Sequence, residues 1–153
     1  MSKRLTSEDW IAAGFRALAE DGPSAIKAEP LARRLGTSKG SFYWHFKDVA
    51  AFHAAMLALW EELAVRDIID KLAPLPTAAD RLRALAKVAS SPAPDRFGGA
   101  KIEPALRAWS LQNPMIARGV AAVDRGRIVY LKELVTACGL PAFYGELIYA
   151  AFL

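Results

Sequence analysis

The sequence predicts an all-α chain: a short helix-turn-helix module followed by a larger helical body. Three observations predict it. Apolar residues recur at three- and four-residue spacing, and no stretch alternates with period two for long enough to make a strand. Proline, glycine and capping residues punctuate the chain at helical lengths, giving about eight helices. The entire charge excess sits in one short window. Lys27, Arg33, Arg34, Lys39 and Lys47 face Glu29 alone between residues 27 and 47, leaving 15 basic and 15 acidic residues elsewhere in a chain of net charge +4.

The elements follow in order. Thr6-Ser-Glu-Asp9 supplies a hydroxyl and acids ahead of an apolar run, a helix start. Ile11, Phe15 and Leu18 form one face, and Asp21-Gly22-Pro23 stops the helix. Pro30 suits the first turn of a second helix with Leu31, Ala32 and Leu35 as its apolar side, and Gly36 is a left-handed cap candidate. Thr37 and Ser38 can each cap a third, short helix running to about His45. A long helix is expected from Val49 to Leu72, with Phe52, Met56, Leu59 and Leu63 at helical spacing, ending before Pro74 and Pro76. Thr77 caps the next. Ser90 to Gly99 holds two prolines and two glycines and reads as a loop. Pro104 opens a helix carrying Leu106 and Trp109. Asn113-Pro114 opens another, whose apolar face runs from Ile116 through Leu131 and Leu134 to Cys138, which is expected to be buried and inert. Gly139-Leu-Pro141 breaks it, and a last helix fills the remaining dozen residues.

Composition narrows the function. With 153 residues, 54% hydrophobic and 24% charged, the chain can bury a real core without disulfide staples. A lone cysteine excludes a multi-cysteine metal or iron–sulfur site, and two histidines without an acidic frame, His45 and His53, give no metal site. No cofactor is expected. No apolar run approaches the ~18 residues of a membrane span, and the start, Met1 to Trp10, lacks a signal peptide's apolar stretch, so a cytoplasmic protein without membrane contact is expected.

The basic window coincides with the second and third helices, joined by Leu35-Gly36-Thr37-Ser38. Two helices around a tight glycine-containing turn make a helix-turn-helix, whose second helix enters the major groove with its first residues toward the bases. Here that helix begins Ser38, Lys39, Gly40, Ser41. Gly40 permits close backbone approach, and Lys39 can reach a guanine edge or a phosphate. Tyr43, Trp44, His45 and Lys47 carry polar tips suited to phosphate oxygens. Phe42 and Phe46, four apart, belong to the module's core. The competing reading of the window is a solvated basic face.

The run Gly40-Ser-Phe-Tyr-Trp-His-Phe-Lys47, with Glu29-Pro-Leu-Ala-Arg-Arg-Leu-Gly-Thr-Ser-Lys39 before it, closely resembles the signature of the tetracycline-repressor (TetR) family of bacterial transcriptional regulators. The resemblance covers roughly residues 7 to 60. A weaker one includes Leu106-Arg-Ala-Trp109, Asn113-Pro114 and Val123-Asp-Arg125. The resemblance implies a DNA-binding domain over residues 1–48 and a ligand-binding and dimerisation domain over 49–153, in a homodimer that reads a palindromic operator on double-stranded DNA. A small-molecule effector then shifts the spacing of the two reading heads and releases DNA. It assigns DNA contact to Thr37, Ser38, Lys39, Gly40, Ser41, Tyr43, Trp44, His45 and Lys47. At the start of the second helix Ala28 and Pro30 bring no donor and Glu29 repels phosphate, leaving Lys27. Members of the family run longer, so the resemblance also implies that residue 153 falls before the family's last helix.

The aromatic residues Trp60, Phe97, Trp109 and Tyr130 in the second part are candidates to line an effector pocket, with plain core packing as the alternative. Two rivals accompany the regulator reading: a constitutive DNA-binding or architectural protein without an effector, and a small helical enzyme. The enzyme reading lacks a paired-carboxylate motif, a nucleophile elbow or a glycine-rich phosphate loop.

Overall fold

The structure, a computed structural model, describes residues 4–91 and 94–153. No strand occurs among the described residues. Helix α1 spans Ser7–Asp21 and opens on a complete capping box. The Asp9 amide donates to Thr6 Oγ1 at 3.2 Å, and the Thr6 amide donates to Asp9 Oδ2 at 2.9 Å. Gly22 (φ 80°) ends it, donating its N–H to the Leu18 carbonyl.

Helix α2 covers Ala28–Arg34 and buries Ala28, Leu31 and Ala32. The chain reverses through Gly36, whose φ of 62° lies in the left-handed region that a side chain disfavours. Of the two candidate caps it is Ser38 whose hydroxyl accepts the Ser41 amide, at 3.3 Å, and starts helix α3, Lys39–His45. Thr37 instead donates its own amide to the Ala32 carbonyl at 3.0 Å. Phe42 is completely buried at the centre of an aromatic cluster. Its ring meets Trp10 edge-on at 5.4 Å and Phe52 at 5.2 Å, and Phe46 packs on Phe52 at 4.8 Å. Such edge-to-face pairs add about 0.5–1.5 kcal/mol each to the area they bury.

Helix α4, Val49–Glu61, continues through a π-helical turn, Glu62–Arg66, into α5, Asp67–Leu72. The expected single helix is therefore continuous but widened for one turn. Its buried positions are Phe52, Met56, Trp60, Ala64 and Leu72, with Leu59 and Leu63 only half-buried. Helix α6, Ala78–Ala89, is capped by Thr77, which accepts the Asp80 amide at 3.1 Å, and none of its residues is fully buried. The loop expected over Ser90–Gly99 lies partly outside the described residues. Its described part forms a 3₁₀ turn at Asp95–Phe97. Helix α7, Ile102–Ser110, starts two residues before the expected Pro104 and buries Ile102, Leu106 and Trp109. Helix α8, Pro114–Ala137, is capped by the Asn113 side chain, and α9 covers Phe143–Phe152.

Cys138 is exposed, which corrects the expectation of burial. The helical spacing does carry on to it, but α8 ends at Ala137, and every residue from Thr136 to Tyr144 is exposed. The face that buries Leu131, Leu134 and Val135 has run out of core to cover it.

Packing groups the chain into two compact units: Met1–Leu59 with Ala93–Arg118, and Trp60–Pro92 with Gly119–Leu153. The first is built on the aromatic cluster and on α1. Arg96 pairs with Glu8 at 3.0 Å, and Arg16 donates to the Arg96 carbonyl. In the second, Arg127 Nε donates to the Ala64 carbonyl within the π turn (3.4 Å), and the Tyr149 hydroxyl donates to Asp124. Burial first, and that bond next, hold the Tyr149 pKa above its ordinary value.

Candidate nucleic-acid interface

Helix α3 advances 100° per residue, so its seven residues fall into four strips. The strip of Phe42, continued by Phe46 just beyond the helix, faces the aromatic core. Opposite it lies the strip of Gly40 and Trp44. Trp44 is 85% exposed, as the geometry requires of a residue about half a turn from the buried strip. Lys39 and Tyr43 make one flank, and Ser41 and His45 the other. Tyr43 is 47% exposed although its ring stands edge-on to Phe42, with centroids 5.3 Å apart.

The sequence-predicted contact residues mostly converge on this one surface. Lys27, Lys39 and Tyr43 line a single groove with Arg33 and Glu29. Ser38, Gly40, Ser41, Trp44 and His45 line a second groove with Arg4. Lys47, just after the helix, is exposed, and Thr37 is half-buried; neither lines these grooves. The two arginines of α2 divide. Arg34 is tied to Glu20 at 2.8 Å and to Asp21, bonds that raise its pKa further and anchor α2 to the end of α1. Arg33 is open to solvent, with Glu29 only at 4.0 Å. Its place in the groove had no distinguishing signal in the sequence, because both arginines sit in the same basic run.

Behind this surface, His53 of α4 is half-buried. Its Nε2 lies 3.2 Å from the Ile26 carbonyl, and its ring stands edge-on to Trp109 at 4.8 Å. Burial lowers its pKa, partly opposed by the Ile26 carbonyl.

The four aromatic pocket candidates divide between the two packing units. Trp109 is buried against His53, while Phe97 is half-buried, edge-on to Phe15 at 6.1 Å and beneath the Arg96 guanidinium. Trp60 and Tyr130 belong to the other packing unit. Trp60 is buried, and half-buried Tyr130 has a pKa raised chiefly by desolvation. Among the described residues no group of three or more His, Cys, Asp or Glu side chains could hold a metal ion. None of their helices is long and apolar enough to cross a membrane.

The model of the "Bacterial regulatory proteins, tetR family" matches residues 11–56, which run from inside α1 through α3 into α4. No curated protein sequence matches the chain. Three solved structures share its fold. The reduced form of E. coli NemR superposes with a TM-score of 0.70 at 19% identity, covering 95% of this chain and 82% of that one. A Saccharomonospora viridis protein in complex with choline gives 0.69 at 20% identity, covering 86% and 68%. The fatty acid degradation regulator FadR from Bacillus halodurans gives 0.67 at 15% identity, covering 99% and 82%. Residues 11–56 thus match the tetR family of bacterial regulatory proteins, and the chain as a whole shares the fold of these three structures.

Proposed function

We propose that the chain is a regulator that binds a palindromic operator as a homodimer, through α3 in the major groove, and is released by a small-molecule effector. The observation that carries the reading is the outward strip of α3. A tryptophan 85% exposed, on a helix locked by Phe42 beneath it, is apolar surface that folding leaves uncovered. Tyr43 on the flank beside it and exposed Lys47 just after the helix supply donors that a phosphate backbone takes. Lys39, Gly40 and Ser41 face base edges in this reading, and Lys27, Ser38, Tyr43, Trp44, His45 and Lys47 fix the register on phosphates, with Thr37 supporting the turn.

Dimerisation is supported by the last helix. Phe143, Leu147, Ile148 and Phe152 of α9 are all exposed, as are Leu140 and Val129, a concentration of apolar surface that suits a second copy of the chain. Effector control is supported by the fold it shares with the choline-bound Saccharomonospora viridis protein. Phe97 and Tyr130 retain accessible ring surface for a ligand, whereas Trp60 and Trp109 are already packed. To empty a largely occupied operator, the effector must favour the released arrangement by about 5 kcal/mol.

Selection of genomic DNA fragments by the purified chain tests the reading. The expected outcome is enrichment of an inverted repeat whose half-sites lie about one helical turn apart. Recovery of fragments without a shared repeat contradicts it.

A further inference from the structure

The groove on the Ser41–His45 flank of α3 contains a residue from outside the helix-turn-helix. Arg4 lies two residues before the capping Thr6. Thr6 is held extended (φ −94°, ψ 166°), with its amide and hydroxyl both on Asp9, and Leu5 between them is half-buried. These constraints place Arg4 beside Ser38, Ser41, Trp44 and His45, almost forty residues away in the chain. Arg4 is exposed and has no carboxylate partner among the described residues, unlike Arg34, held by Glu20 and Asp21, and Arg96, held by Glu8.

The charge around α3 gives this placement its meaning. A helix lying in a major groove about 12 Å wide has one phosphate strand along each flank. On the Lys39–Tyr43 flank, Lys27 and Arg33 supply cations for one strand, with Glu29 the one acid among them. On the opposite flank the described lining residues other than Arg4 are apolar, hydroxyl-bearing, glycine or histidine, so among the described residues lining it only Arg4 brings a permanent positive charge there.

We propose that Arg4 is a phosphate-binding arm that grips the second DNA strand, on the flank of α3 opposite Lys27, Arg33 and Lys39. The inference rests on the DNA-binding reading of α3 and extends it to a residue before the first helix. An arginine suits the task because its planar fork can donate two hydrogen bonds to one phosphate.

The test is the salt dependence of duplex binding by the full chain, followed by fluorescence anisotropy between about 50 and 200 mM salt. The probes are two labelled duplexes of equal length, one A·T-rich and one G·C-rich, with wild type, Arg4→Ala and Arg4→Lys. Losing one phosphate contact reduces the slope of log K against log salt by about 0.9 for each protomer bound, and lowers affinity about fivefold to tenfold near 100 mM. Arg4→Ala is expected to show that loss equally on both duplexes, and Arg4→Lys to recover most of it. A wild-type slope in Arg4→Ala overturns the proposal while leaving DNA binding by α3 intact. A loss confined to the A·T-rich duplex also overturns it, since that pattern belongs to minor-groove reading. A wild-type chain that binds neither duplex at 50 mM overturns this inference and the parent reading together. Unchanged far-ultraviolet circular dichroism identifies Arg4→Ala as folded.

Discussion

Trp44 and Phe42 stand two residues apart on the same seven-residue helix, one 85% exposed and the other fully buried. Hydrophobicity alone would send both inward; the 200° between them decides otherwise. That separation was legible in the sequence, as was the pairing of Phe42 with Phe46, because helical spacing is a local property. Arg4 was not legible. Its proximity to Trp44 depends on how α1 packs against α3, which no local spacing encodes. Nor did the sequence separate Arg34, bonded to Glu20 and Asp21, from Arg33 beside it. His53 yields a prediction at this scale. Burial depresses its folded pKa below the unfolded value of about 6.5, so the unfolded chain takes up the proton first as pH falls. The stability it confers is complete above that value and is lost as pH drops through the window beneath it. Thermal melts between pH 7.5 and 5 are expected to show a fall in Tm that is smaller in His53→Gln. Parallel profiles for the two proteins would contradict this.

Capped elements start where their caps say they start. Thr6, Ser38, Thr77 and Asn113 each accept a hydrogen bond from an amide two or three residues ahead, and all four starts were readable because the cap and its donor amide lie in one turn. Features set by a neighbouring element were not readable. The π turn at Glu62–Arg66 and the exposure of Cys138 both depend on what lies alongside the helix rather than on its own periodicity. The same dependence appears where α9 meets α8. A Cβ on Gly145 would lie 2.7 Å from the Lys132 backbone nitrogen, which cannot yield as a flexible side chain would. Gly145→Ala is therefore expected to push α9 away from α8 and destabilise the chain by about 1–3 kcal/mol, despite alanine's better helix propensity. Chemical denaturation measures it; a midpoint at or above wild type would show that the helices do not approach so closely.

For the whole molecule, the net charge of +4 has a location, the helix-turn-helix, and the rest of the chain is balanced. The division of labour this suggests, a head for phosphates and a body for self-association, makes α9 a test of assembly. Leu147→Glu, at a position 55% exposed, is expected to leave the fold intact, shift the chain from dimer to monomer in sedimentation, and weaken binding to a two-half-site duplex at least tenfold. A Leu147→Glu protein that still sediments as a dimer would place the contact elsewhere. The central claim is that α3 reads DNA through its outward strip and its Lys39–Tyr43 flank. Its most direct measurement is an anisotropy titration of the selected operator duplex at fixed salt with wild type, Lys39→Ala and Tyr43→Ala. At about 1–3 kcal/mol for each lost contact, both variants are predicted to bind roughly tenfold or more weakly while keeping wild-type helicity. Wild-type affinity in both would contradict the account.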